Sequence, residues 1–164
     1  FNLEKEIDIQ LGTLSKSLGS VGGYVAANST IIDYLVNMSR SFIFSTALSP
    51  ADIGAALAAL QVLETDASVL ARLQANVNYM ADQLLSMGID ATNETPIFPI
   101  LIGRNEDTLA VSDYLYEDGI IGTAIRPPTV PIGESRIRLT VTAAHNKEQI
   151  DYVCQSLHNA MKQL

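Results

Sequence analysis

Gly12-Thr13-Leu14-Ser15-Lys16-Ser17-Leu18-Gly19-Ser20-Val21-Gly22-Gly23 sets one lysine among hydroxyls and glycines. Ahead of it, Ile7, Ile9 and Leu11 alternate with Asp8 and Gln10, a strand pattern. Behind it, Tyr24-Val25-Ala26-Ala27 reads as a second strand. A loop of this composition between two strands suits a phosphate group: small residues let the backbone approach closely, and hydroxyls donate to phosphate oxygens. Two nucleotide motifs fail. A P-loop needs glycine directly before its lysine, and Ser15 stands there. A dinucleotide fingerprint needs G-x-G-x-x-G opening a helix; Gly19, Gly22 and Gly23 have another spacing and lead into a strand.

Two readings of Lys16 remain from the residues themselves. One is a solvated lysine in a glycine turn, which loop composition by itself favours. The other is a lysine that holds an aldehyde cofactor covalently.

Outward from the loop, Thr30 is expected to cap a helix from Ile31 to about Ser39. Ser49-Pro50-Ala51-Asp52 is a helix start, with Ser49 at the N-cap, Pro50 at N1 and Asp52 complementing the dipole. That helix runs through an alanine-rich stretch to about Glu64. Val69, Leu73, Val77, Met80, Leu84 and Met87 then mark one apolar face of a long helix closed by Gly88. This helix pair reads as packed scaffold. Ile97 to Ile102 is expected as a buried strand, Asn105 as the cap of a helix ending at Gly119, and Ile120 to Ile125 as a strand. Arg136 to Thr142 alternates as a half-exposed strand, and Asn146 caps a last helix with Ile150, Val153, Leu157 and Met161 inward.

The fold class expected is α/β, with an α+β C-terminal domain of a sheet covered by helices. Two strands and a glycine loop do not bury themselves. Residues 1–48 therefore read as the remnant of a larger domain, residues 49–164 as linking helices and a small C-terminal domain, and the chain as a fragment.

Composition excludes several classes. The chain has 164 residues, 48% of them hydrophobic, which supports a folded core and not disorder. A formal charge of −8 repels a nucleic-acid backbone. Cys154 is the one cysteine, which rules out an internal disulfide and fits a reducing cytoplasm. No CxxC or His/Cys cluster suggests a metal, and no apolar run reaches membrane-spanning length. Phe1 to Lys5 does not read as a signal peptide. His145 reads as structural, His158 as solvated, Cys154 as a small apolar packer, and Met80 and Met87 as core.

Three ordered blocks carry a resemblance. Thr13 to Gly19 with Gly22-Gly23 resembles the cofactor-lysine motif of the α-oxoamine synthases, pyridoxal-phosphate enzymes of the aspartate-aminotransferase-like fold, fold type I. Ser41-Phe42-Ile43-Phe44-Ser45-Thr46-Ala47-Leu48-Ser49-Pro50 is similar to the family segment after the lysine. Ala124-Ile125-Arg126-Pro127-Pro128-Thr129-Val130-Pro131, with Ser135 to Leu139 and Ala143-Ala144-His145, is similar to its C-terminal block. The resemblance spans nearly the whole chain.

It implies decarboxylative condensation of an amino acid with an acyl thioester on pyridoxal 5'-phosphate, in a homodimer with shared sites. Arg126 to Pro131 resembles the branch that uses L-alanine and a pimeloyl thioester in biotin biosynthesis; glycine- and serine-using branches are the alternatives. Lys16 is implied to hold the cofactor and then act as base at the substrate α-carbon. Thr13 and Ser15 are implied as phosphate donors, and Thr46 as a donor to the partner subunit's phosphate. Arg138 is implied to grip the substrate carboxylate, with Arg126 and Thr129 at the substrate entrance. Arg136, two residues from Arg138 on the same strand face, is the competing arginine. The family's ring-nitrogen aspartate and its ring-stacking residue have no counterpart in this sequence. The competing class is a non-catalytic domain that kept the fold; Lys16 and Arg138 together favour an enzyme.

Overall fold

The computed structural model describes Leu3 and residues 5–164. The reading of Phe1 to Lys5 falls largely outside them. The chain divides into two compact units, one ending at Asp66 and one running from Ala67 to Leu164.

In the first unit, β1 (Ile9–Thr13) pairs antiparallel with β2 (Gly23–Ala27), from Ile9↔Ala27 to Thr13↔Gly23. The first strand thus starts at Ile9 and not at Ile7, and it reaches the lysine loop itself. Helix α1 (Ser29–Met38) is capped by Asn28, whose Oδ1 accepts from the Ile31 amide at 3.0 Å. Thr30 lies inside the helix, because the stronger capping side chain stands two residues earlier. A short α2 (Arg40–Ile43) follows, then α3 (Pro50–Thr65). Ser49 caps α3 as expected: its Oγ accepts from the Asp52 amide at 3.2 Å. Only Ala56 of α3 is buried, so α3 is not packed scaffold within this chain; it is apolar all round and offers no single inward stripe.

The second unit is a three-stranded antiparallel sheet covered on one face by helices. The order is β3 (Ile97–Gly103), β5 (Ser135–Thr140), β4 (Thr123–Ile125), with β5 central. Helices α4 (Ala67–Ser86), α5 (Asn105–Glu117) and α6 (Lys147–Met161) supply the cover. Val77, Met80, Ala81 and Leu84 of α4 meet Phe98, Ile100, Ile137 and Leu139 of the sheet and Leu115 and Leu157 of α5 and α6. Gly88 takes φ +79 beyond α4, a left-handed C-terminal stop that a side chain would resist. Asn146 heads α6 in a full capping box with Gln149.

Three local expectations change. β3 is buried on one face only: Phe98 and Ile100 point inward while Ile97 and Leu101 stay exposed. Asn105 is the first residue of α5 and not its cap; its Oδ1 accepts from Ser135 Oγ at 2.7 Å. β4 begins only at Thr123, because Gly122 packs against Leu115 and its carbonyl accepts from Ser112 Oγ at 2.7 Å. No single helix among the described residues is long and apolar enough to cross a membrane, and no group of metal-ligating side chains occurs among them.

Candidate active site

The lysine loop is closed by its own backbone. Leu14 N donates to Gly22 O at 2.9 Å and Ser20 N to Leu14 O at 2.9 Å. Inside these, Gly19 N donates to Lys16 O at 3.0 Å, a tight turn in which Gly19 adopts φ +60. Gly22 has φ +101, and a Cβ there would stand 2.7 Å from Leu48 Cδ1. Glycine therefore satisfies both a backbone angle and a close approach at this point.

Thr13 Oγ1 and Ser15 Oγ lie 2.8 Å apart. Thr13 Oγ1 also accepts from Ser15 N at 3.2 Å and donates to Gly22 O at 3.3 Å. The turn-forming role of Thr13 is thus present in the loop. Lys16 is exposed one residue beyond Ser15, and its side chain has no hydrogen bond or ion pair among the described residues. Thr46 is exposed in the stretch between α2 and the Ser49 cap.

A free primary amine beside two solvent-facing hydroxyls, on a loop built from small residues, fits a phosphorylated aldehyde. The amine matches the carbonyl carbon, and the hydroxyls can turn from each other toward phosphate oxygens.

Arg138 belongs to the second unit. It lies on the central strand, opposite Pro99 of β3 and Thr123 of β4. Ile137 and Leu139 beside it are buried, so the pleat sends Arg138 to the exposed face. Arg136 shares that face, but its Nη2 lies 3.0 Å from Glu134 Oε2 and its Nε donates to Glu134 O at 2.9 Å. Arg126 follows β4, and its carbonyl accepts from Thr129 N at 3.0 Å in an exposed turn. The structure therefore gathers Thr13, Ser15 and Lys16 in one loop. Thr46 lies on another segment of that unit; in the second unit Arg126 and Thr129 share an exposed turn and Arg138 stands on the central strand.

His145 is structural as expected: its Nδ1 accepts from Thr142 N at 3.1 Å, and its carbonyl accepts from Asn76 Nδ2 at 2.8 Å. His158 is half-buried and not fully solvated, because it borders the buried stripe at Cys154 and Leu157. Cys154 packs in the core, 3.6 Å from Met80 Sδ. Burial first, and Asp151 second, push its thiol up to about 11. A cavity of about 550 Å3 lined by Met80, Ile120, Leu139 and Val153 contains none of the candidate residues. Sequence reasoning passed over Ser20 and Glu134. Glu134 was open to detection, since period two places it on the side of Arg136 and Arg138.

The chain matches the aminotransferase class I and II family over residues 1–157, and it belongs to that family, one of pyridoxal-phosphate enzymes. Among curated relatives, it is 42% identical over its full length to 8-amino-7-oxononanoate synthase of Thermoanaerobacter pseudethanolicus. It covers 42% of that protein, so the chain spans less than half the length of the relative. Among solved structures, a serine palmitoyltransferase with pyridoxal phosphate shares 28% identity at a TM-score of 0.93, over 99% of this chain and 42% of that one. An 8-amino-7-oxononanoate synthase from Francisella tularensis shares 27% identity at 0.83, over 94% and 46%. The fold is that of the fold-type-I pyridoxal-phosphate transferases.

Proposed function

We propose that Lys16 is the cofactor lysine of a pyridoxal-phosphate-dependent acyltransferase. The intact protein would condense L-alanine with a pimeloyl thioester and release CO2, as an 8-amino-7-oxononanoate synthase serving biotin synthesis. The observation that carries the reading is the exposed, unpaired Lys16 one residue beyond the Thr13–Ser15 hydroxyl pair.

Thr13 and Ser15 donate to the cofactor phosphate, and Thr46 donates to that of the partner subunit in a homodimer. Bound there, pyridoxal phosphate supplies an electron sink for charge at the substrate α-carbon. Lys16 Nζ would hold the cofactor covalently, and as a free amine it would be the group placed to move a proton at the substrate α-carbon. Arg138 clamps the amino acid carboxylate, and Arg126 and Thr129 line the substrate entrance. On this reading residues 1–48 belong to the large cofactor domain, residues 49–164 to linking helices and the small domain, and the enzyme works in the cytoplasm. Residues 1–164 alone then do not turn over, because the ring-nitrogen aspartate and the stacking residue lie elsewhere in the whole enzyme.

A serine-using reading has one observation in its favour: the serine palmitoyltransferase structure superposes more closely than the synthase, at 0.93 against 0.83.

The test is borohydride reduction of the intact protein with pyridoxal phosphate, followed by peptide mapping. The label is expected on Lys16 and absent in Lys16→Ala. A label on another lysine, or one that persists in the variant, overturns the assignment.

A further inference from the structure

We infer that Ser20 is a positioning residue. Its hydroxyl struts the Lys16 loop against the first turn of α3, and so sets where Lys16 stands relative to the Thr46 segment. This rests on the reading of Lys16 as the cofactor lysine.

The backbone bonds within the loop shape it but do not orient it. Leu14, Lys16, Gly19, Ser20 and Gly22 bond among themselves, and the strands below pair only with each other. Among the described residues, one side-chain hydrogen bond joins this loop to α3. Ser20 Oγ donates to the Asp52 carbonyl at 2.6 Å, in a half-buried setting. Ser20 is well placed for the task. Its own amide closes the loop on Leu14, and it directly follows the Lys16–Gly19 turn, so fixing Ser20 fixes the base of that turn.

The anchor is itself held. Ser49 Oγ accepts from the Asp52 amide and donates to Asp52 Oδ2 at 2.7 Å, and Ser49 stands three residues beyond Thr46. Leu48 packs over Gly22 and adds an apolar contact beside the polar one. The lysine loop and the segment leading from Thr46 thus meet at one clamp: Ser20 on Asp52, and Gly22 under Leu48. The Ser20 hydroxyl spends its proton on the Asp52 carbonyl and so acts on the loop's position.

The test compares Ser20→Ala, Ser20→Thr and the unsubstituted intact protein. In the cofactor-free protein, amide hydrogen exchange over residues 14–22 is expected to quicken in Ser20→Ala and to return toward normal in Ser20→Thr. Pyridoxal phosphate affinity, by absorbance titration, is expected to fall roughly three- to tenfold in Ser20→Ala, the effect of one lost neutral hydrogen bond. Leu48→Ala attacks the same clamp from its apolar side and should shift both readouts in the same direction. Unchanged loop exchange in Ser20→Ala overturns the strut. Faster exchange with unchanged cofactor affinity overturns its link to the site. Borohydride label missing from Lys16 in the unsubstituted protein sinks the cofactor reading instead, and the exchange comparison still decides whether Ser20 fixes the loop.

Discussion

Glu134 engages Arg136 twice, through Oε2 at 3.0 Å and through its backbone carbonyl at 2.9 Å. The Arg138 side chain, two residues along the same exposed face, has no hydrogen bond or ion pair among the described residues. A carboxylate ligand would have to break the Glu134 pair to recruit Arg136, whereas Arg138 is ready to accept one.

Arg138→Lys in the intact protein is therefore expected to lower kcat/KM for the amino acid while cofactor binding persists. A planar guanidinium can hold a carboxylate bidentately and a lysine ammonium cannot. The loss should be about 1.5–3 kcal/mol, the range of a hydrogen bond to a charged group. Arg136→Lys is the control and should cost less. Steady-state kinetics of the two variants decide the matter, and a larger loss at Arg136 would reverse the assignment.

Amino acid preference separates the branches of the family. With Arg126 to Pro131 as the substrate-side block, kcat/KM should be highest for alanine. Glycine, which lacks only the methyl, should be disfavoured by roughly tenfold or more, the usual worth of one carbon in an apolar pocket. A clear preference for serine would support the serine palmitoyltransferase-like reading.

Stability should rest on the second unit's core and caps. Leu157 is fully buried against the sheet-and-helix core, so Leu157→Ala should cost about 2–5 kcal/mol through lost contact and a residual cavity. Asn146→Ala removes the α6 capping box and should cost about 1 kcal/mol. Urea unfolding measures both, and a cap loss equal to the core loss would contradict this ordering.

Cys154 gives the second unit an alkaline limit. Burial, with Asp151 as a lesser cause, raises its thiol from 9.0 to about 11. The folded state keeps its proton where the unfolded chain releases one. This contribution is intact below pH 9 and is lost as pH climbs through the window toward 11. Urea midpoints should fall across that window, and Cys154→Ala should flatten the slope. Parallel slopes for the two proteins would show that the thiol does not titrate in this way.

Several features were legible because a few neighbouring residues decide them. Ser49 with Pro50 and Asp52 starts a helix by local hydrogen bonding, and Asn146 with Gln149 does the same. The stripe through Val77, Met80 and Leu84 declares the inner face of α4 by its period. Even a cap can go astray: Thr30 is the expected cap, and the structure gives that role to Asn28 two residues earlier. Lys16 and its hydroxyls stood out because glycines and serines on a strand-to-strand loop have little packing to do.

The sequence by itself determined the two strands flanking the lysine loop, the loop, the amphipathic helices and the alternation that puts Arg136 and Arg138 on one face. All of these depend on residues within a turn or a pleat of each other. The tertiary structure alone decided that Asn105 spends its side chain on Ser135, that Gly122 yields its carbonyl to Ser112, and that Ser20 binds Asp52. Each of these joins segments well apart along the chain. A polar group seeks whatever partner packing brings within 3 Å, and no local pattern names that partner in advance.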